Sequence, residues 1–264
     1  MQFSTWMNKD EWSKQICEMH VLDAKLRIAN ILHENFNSQG NDLDKLPFPE
    51  FANRQTLRAN IAMQLLSTAF ELTEDLAATS FSYAKAIRLG TKNVPEYLRD
   101  FGDLTLKKPP EEIGTPALFY KNVSKKICYA AEMLGLDPVK NVGDAAFLQK
   151  FFKNVKDFRD KHDDWYQGYK HGQRTLSVYG YPINVEPTIN NVSFWLYRIP
   201  ETLQEKDGNV FVEEDLVDII KEEPMLFKLI NDIFSVWQGV KQRQFAKVFP
   251  IPTAPQANQT SVPT

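Results

Sequence analysis

The chain has 264 residues, 43% of them hydrophobic and 25% charged, the make-up of a soluble globular protein with one large domain or two small ones. Its 31 basic and 34 acidic residues nearly cancel, which excludes nucleic-acid affinity from bulk charge and leaves that role to a local basic strip. The start, Met1 to Asp10, has no basic region leading into an apolar core, and no uncharged apolar run reaches the roughly 18 residues of a membrane span. A cytoplasmic protein without membrane contact is therefore expected. Cys17 and Cys128 could form one bridge, but both lie in apolar helical patterns, which favours buried free thiols.

The first helix is expected to start near Asn8, with Glu11 three residues on as in a capping box. Trp12, Ile16, Met19 and Leu26 form one apolar row, and Cys17, Val21, Ala24, Ile28 and Ile31 form a neighbouring one. So wide an apolar face implies more than one partner helix and leaves room for a homodimer through helix faces. His20 and His33 fall on different sides of this helix and read as surface or edge residues. Residues from Gln39 to Asn53 include Gly40, Pro47 and Pro49 and read as a loop.

The longest helical pattern runs from Thr56 to Leu89, with Ile61, Leu65, Ala69, Leu72, Leu76, Tyr83 and Ile87 on one face and Gly90 as its stop. Glu71, Glu74 and Asp75 fall within it. The Glu-x-x-His pairs of di-iron bundles occur nowhere in the chain, so these acids read as a solvated patch, and neither metal nor cofactor is expected. Asn93 and Pro95 open a short helix to about Phe101, and residues 107–110 are a connector. Thr115 and Pro116 begin a helix carrying Phe119, Val123, Ile127, Ala130 and Leu134, closed by Gly135 and Pro138. Lys121, Lys125 and Lys126 on its outer side read as solvated lysines.

Asp144 is expected to cap the next helix. There Leu148, Phe151, Val155, Phe158, His162, Trp165 and Tyr169 follow the alternating three- and four-residue steps of one buried stripe, in which His162 is the polar member. Asp160, Asp164, Gln167, His171 and Arg174 lie opposite, so His162 and His171 cannot share a metal while the helix is intact. Lys150, Lys153, Lys156, Arg159, Lys161, Lys170 and Arg174 form a basic strip that Asp157, Asp160, Asp163 and Asp164 offset through salt bridges along the helix. Gly168 and Gly172 are spaced to admit another backbone or a ligand, and Gly172 serves equally as a helix stop.

After Arg174 the period shifts to two. Thr175–Tyr179, Val192–Ile199 and Asn209–Val212 read as strands, with a tight turn at Asp207 and Gly208. Helix is expected again from Glu213 to Lys221, and a last helix after Pro224 turns Leu226, Ile230, Ile233, Trp237 and Val240 inward. The expected fold is mainly α: a bundle of about five long helices with a small antiparallel β-sheet insertion near residues 175–212. One domain spans residues 1–249, and the Pro-, Thr- and Gln-rich residues 250–264 form a disordered tail.

The sequence lacks a Walker A loop, a Gly-x-Gly-x-x-Gly turn, a Gly-x-Ser-x-Gly elbow, a His-Glu-x-x-His helix and paired zinc cysteines. Nucleotide triphosphatase, dehydrogenase, serine hydrolase and structural zinc readings fall with them. The run from Asp164 to Gly172, with Lys170-His171-Gly172 late on a bundle helix, resembles the Lys-His-Gly signature of helical proteins related to the HEPN superfamily. That resemblance implies a helical domain tied to RNA, nucleotides or bacterial defence and stress. The Arg-x4–6-His pair of that superfamily's ribonucleases is missing, since Arg159 precedes His162 by three positions and His171 by twelve.

The first functional reading is a domain that binds RNA, a nucleotide or another anionic partner through Tyr166, Tyr169, Lys170 and Arg174. His162, Trp165, Gly168 and Gly172 give that site its structure. The alternatives are a metal-independent ribonuclease with His171 as general acid and base, and a non-enzymatic interaction or assembly domain.

Overall fold

The computed structural model describes residues 21–38, 54–103, 105–106, 114–125, 136–137, 139–170, 175–180, 193–198, 205–206, 209–210 and 213–249, with positions 8, 10, 11 and 14. The expectations for Cys17, His20 and Cys128, for residues 39–53 and 107–110, and for the tail from Pro250 lie outside these residues. The protein is mainly helical. Its helices are α1 (Val21–Asn37), α2 (Arg54–Leu89), α3 (Val94–Asp100), α4 (Pro116–Val123), α5 (Val142–Lys170) and α6 (Ile219–Val248).

Helix α2 is the axis of the fold. At 36 residues it is roughly 54 Å long, and α1, α3, α4, α5 and α6 all pack on it. The predicted face is buried up to Tyr83 and half-buried at Ile87, yet every residue from Leu65 to Phe70 is buried too, so α2 is enclosed through its middle rather than amphipathic. Alanines and hydroxyl residues make this feasible by letting neighbours approach. Thr68, Thr73 and Thr79 satisfy their hydroxyls on the carbonyls of Gln64, Phe70 and Asp75. The helix stops where the glycine predicted it: Gly90 has φ 63°, its N–H donates to the Ile87 carbonyl, and the Thr91 N–H donates to that of Ala86.

The Asn8 side chain accepts from the backbone N–H groups of Asp10 and Glu11, as a helix cap does. Helix α1 packs on α2 and α6 through Leu22, Leu26, Ala29 and Phe36. Its second apolar row is not covered: Ala24, Ile28 and Ile31 are exposed, because α2 and α6 both meet the opposite side. His33 is no free edge residue. Its Nδ1 lies 2.6 Å from Oε1 of the buried Glu223 on α6, and its ring stacks on Phe227 at 3.5 Å.

Several boundaries differ from expectation. Helix α5 starts at Val142, so Asp144 sits in its first turn, and the Ala145 N–H bonds the Asn141 carbonyl ahead of it. Helix α4 ends at Val123 with Ser124 as cap, and residues 126–135, expected to continue it, lie outside those described. Glu213–Asp218 is extended rather than helical. Asp218 then caps α6 by accepting from the Lys221 N–H, so the last helix starts before Pro224. Proline in its second turn removes only one helical hydrogen bond, which the start of a long helix tolerates.

Between α5 and α6 the described backbone pairs Thr175–Gly180 with Ser193–Arg198, and that strand with Glu213–Asp218, all antiparallel. The register sets Arg198 opposite Glu213. Asn209–Val210 pairs instead with Glu205–Lys206, and the turn expected at Asp207 and Gly208 lies outside the described residues. No helix among the described residues is long and apolar enough to cross a membrane.

Candidate functional site

A cleft lies where α4 and α5 meet α2. Its volume is about 670 Å³, and Glu74, Thr115 to Ala117, Tyr120, Lys121, Lys125, Lys156, Arg159, Asp160, Asp163 and Gln167 border it. Local sequence fixes the α4 wall. Thr115 accepts from the Leu118 N–H at 3.3 Å with Pro116 behind it, a cap that starts the helix sharply. Just before it, Gly114 is pressed against two rings, and a Cβ there would sit 2.5 Å from Phe101 and 2.9 Å from Phe81. The Gly114 carbonyl accepts from the Gly102 N–H at 2.6 Å, and Gly102, at φ 79°, makes the turn that permits this.

At the back of the cleft, α4 and α5 both bond the same residue of α2. The Tyr120 hydroxyl donates to the Thr73 carbonyl at 2.7 Å, and Arg159 Nη1 donates to Thr73 Oγ1 at 2.7 Å. Burial pushes the Tyr120 hydroxyl well above its ordinary pKa, so it is a donor and never a phenolate at neutral pH. Arg159 is buried, its guanidinium 5.4 Å from the Phe70 ring centre and 3.7 Å from both Glu74 and Asp163. These carboxylates balance its charge from beyond hydrogen-bond distance. Thr73 is its hydrogen-bond partner among the described residues, Nη2 is the atom nearest the two carboxylates, and the residue borders the cleft.

The remaining cations divide into two kinds. Lys156 is tied to Asp160 one turn on, and that hydrogen bond raises its pKa. Lys121 and Lys125 are exposed and have no carboxylate partner among the described residues. Four formal positive charges therefore face three negative ones, Glu74, Asp160 and Asp163, with the unpaired cations at the α4 rim. Such a place can take up an anion with several oxygens, the geometry that suits a guanidinium beside point-like ammonium groups.

The predicted site residues are only partly brought here. Tyr166 is in the core rather than on a binding surface: it is buried and stacks on Phe70 at 4.4 Å, so no base can stack on that ring. Burial also raises its pKa. His162 and Trp165 are buried, and the loss of water around His162, aided by the charge of Lys161, pushes its pKa down to about 4. Gly168, Tyr169 and Lys170 continue α5 one turn beyond Gln167, with side chains outside those described. His171, Gly172 and Arg174, on which the ribonuclease alternative depends, also lie outside them. Among the described residues no group of three His, Cys, Asp or Glu side chains is placed to hold a metal.

The basic strip is also reorganised. Arg159 leaves it for the interior, and Lys161 reaches across to Glu222 on α6. The acidic patch of α2 is not simply solvated: Glu74 faces Arg159, and Glu71 and Asp75 hold Lys25 of α1 at 3.1 and 2.7 Å. Burial opposes the charge on Lys25, but hydrogen bonds and attraction from Asp75 and Glu71 outweigh it and raise its pKa. A signal for Arg159 was present: Phe152, Arg159 and Tyr166 repeat at seven residues, which lines the arginine up with two core aromatics. Compared with protein families, curated proteins and solved structures, the chain matches none.

Proposed function

We propose that this protein is a HEPN-like helical domain that binds an anionic partner, RNA or a nucleotide, by gripping phosphate oxygens in the α4–α5 cleft. The observation that carries the proposal is that a buried guanidinium and two lysines without a carboxylate partner among the described residues border one opening. A fixed arginine supplies direction and the rim lysines supply attraction. Tyr169 and Lys170 end the same helix just past the cleft, and in this reading they and Arg174, four residues on in the sequence, meet the ligand beyond its first phosphate. In this reading the strands after α5 form a small sheet inserted into the helical domain.

The test is binding of nucleotides and of a single-stranded RNA oligonucleotide at two salt concentrations, by the wild type and by Lys121→Ala/Lys125→Ala. Each phosphate contact contributes about 0.7 to the logarithmic salt slope on a single strand, so the double variant should lower that slope by about 1.4. It should also weaken binding of the RNA by about tenfold or more. Absence of binding by the wild type, or an unchanged slope in the variant, overturns the proposal.

A further inference from the structure

The exposed row on α1 has features of its own. Ile28 and Ile31 are 52% and 57% exposed, one turn apart, on a helix whose other side is fully engaged with α2 and α6. Along one flank of this pair stand Arg27 and Glu34, both exposed and neither in an ion pair among the described residues. Nearly every other charge on α1 is used: Lys25 pairs with Glu71 and Asp75, Asp23 bonds Gln238 and Lys241, and His33 bonds Glu223. Seven residues separate Arg27 from Glu34, a displacement of about 10.5 Å along the axis with only about 20° of drift around it.

We propose that α1 pairs with α1 of a second copy of this chain, antiparallel, across a two-fold axis that passes midway between Asn30 and Ile31. Antiparallel pairing brings like flanks of the two helices together. Arg27 of each copy then meets Glu34 of the other, and both charges are matched by one symmetry operation. Between them Ile28 and Ile31 of the two copies interleave, and Ala24 at each end is small enough for the backbones to close. A parallel pair fails this condition, because it sets the Arg27 and Glu34 flank against the flank carrying Lys25, which is already engaged. The surface is thus self-complementary in both shape and charge, the requirement of an isologous interface. With two isoleucines per copy at its centre, the dimer is weak and concentration-dependent.

The experiment is sedimentation equilibrium of the full chain over a wide concentration range, with charge reversal as the readout of register. Wild type is expected to show a monomer–dimer equilibrium that weakens with salt. Arg27→Glu sets two like pairs together and should weaken association about tenfold or more, as should Glu34→Arg. The double variant Arg27→Glu/Glu34→Arg restores the complementarity and with it the wild-type affinity. Circular dichroism should be unchanged in all three, since both side chains are exposed. A wild type that stays monomeric throughout, or a double variant as weak as the singles, overturns the proposal.

Discussion

Two regions of the bundle each bury one charged side chain against a neighbouring helix, and they resolve the same problem differently. At the α1–α6 seam, Glu223 is 1% exposed and bonds His33, whose ring is covered by Phe227. At the α4–α5 cleft, Arg159 is similarly enclosed, but one neutral hydroxyl bonds it, its carboxylates stand off at 3.7 Å, and a cleft opens beside it. A buried charge with a close partner and a lid serves the packing. One beside an opening, with its carboxylates at a distance, is the one the proposal assigns to a ligand. The difference lies in the partners, since both charges are buried on long helices.

The largest expected effect comes from removing a partner at the sealed site. His33→Ala leaves a buried carboxylate without its bond and should cost roughly 3 kcal/mol of unfolding free energy in urea melts. His33→Ala/Glu223→Leu, which removes both polar groups, should recover most of that loss. Arg159→Ala should cost less, about 2 kcal/mol, because Glu74 and Asp163 are partly exposed and can regain water. If Arg159→Ala proves the more damaging, the contrast between the sites is wrong.

A second buried group sharpens the comparison by being neutral. His162 follows Arg159 by three positions on α5 and bonds no carboxylate among the described residues, and burial lowers its pKa from 6.5 to about 4. Between these values the unfolded chain binds a proton that the folded one refuses. Stability is therefore complete above pH 6.5 and falls as the pH drops toward 4, by about 3 kcal/mol in all. Melts across this window should show that slope, and His162→Gln should flatten it. A slope that is the same in both proteins would place the titrating group elsewhere.

How much of this was legible depends on the range of the interaction. The row from Leu148 to Trp165 is a local pattern, and so is the Gly90 stop, which needs only a glycine after the last apolar residue. The sealed pair joins residues 190 apart, and Arg159 meets Thr73 across 86 positions. On a helix of alternating lysines and aspartates, an arginine destined for the core looks like its solvated neighbours until the facing helix is known. The enclosure of α2 escaped the pattern for the opposite reason: small polar residues that read as surface are what let five helices close on it. Glu213–Asp218, with three acids in its first three places, carries little strand signal, and its pairing depends on the neighbouring strand.

The most direct test of the cleft is the side-chain NMR signal of Arg159. A nucleotide or RNA is titrated into protein labelled at the arginine Nε, with Arg99, exposed and held by Asp100, as internal reference. Arg159 should shift in proportion to occupancy while Arg99 stays in place. Saturable binding that leaves the Arg159 signal unmoved would contradict the assignment of this cleft as the anion site.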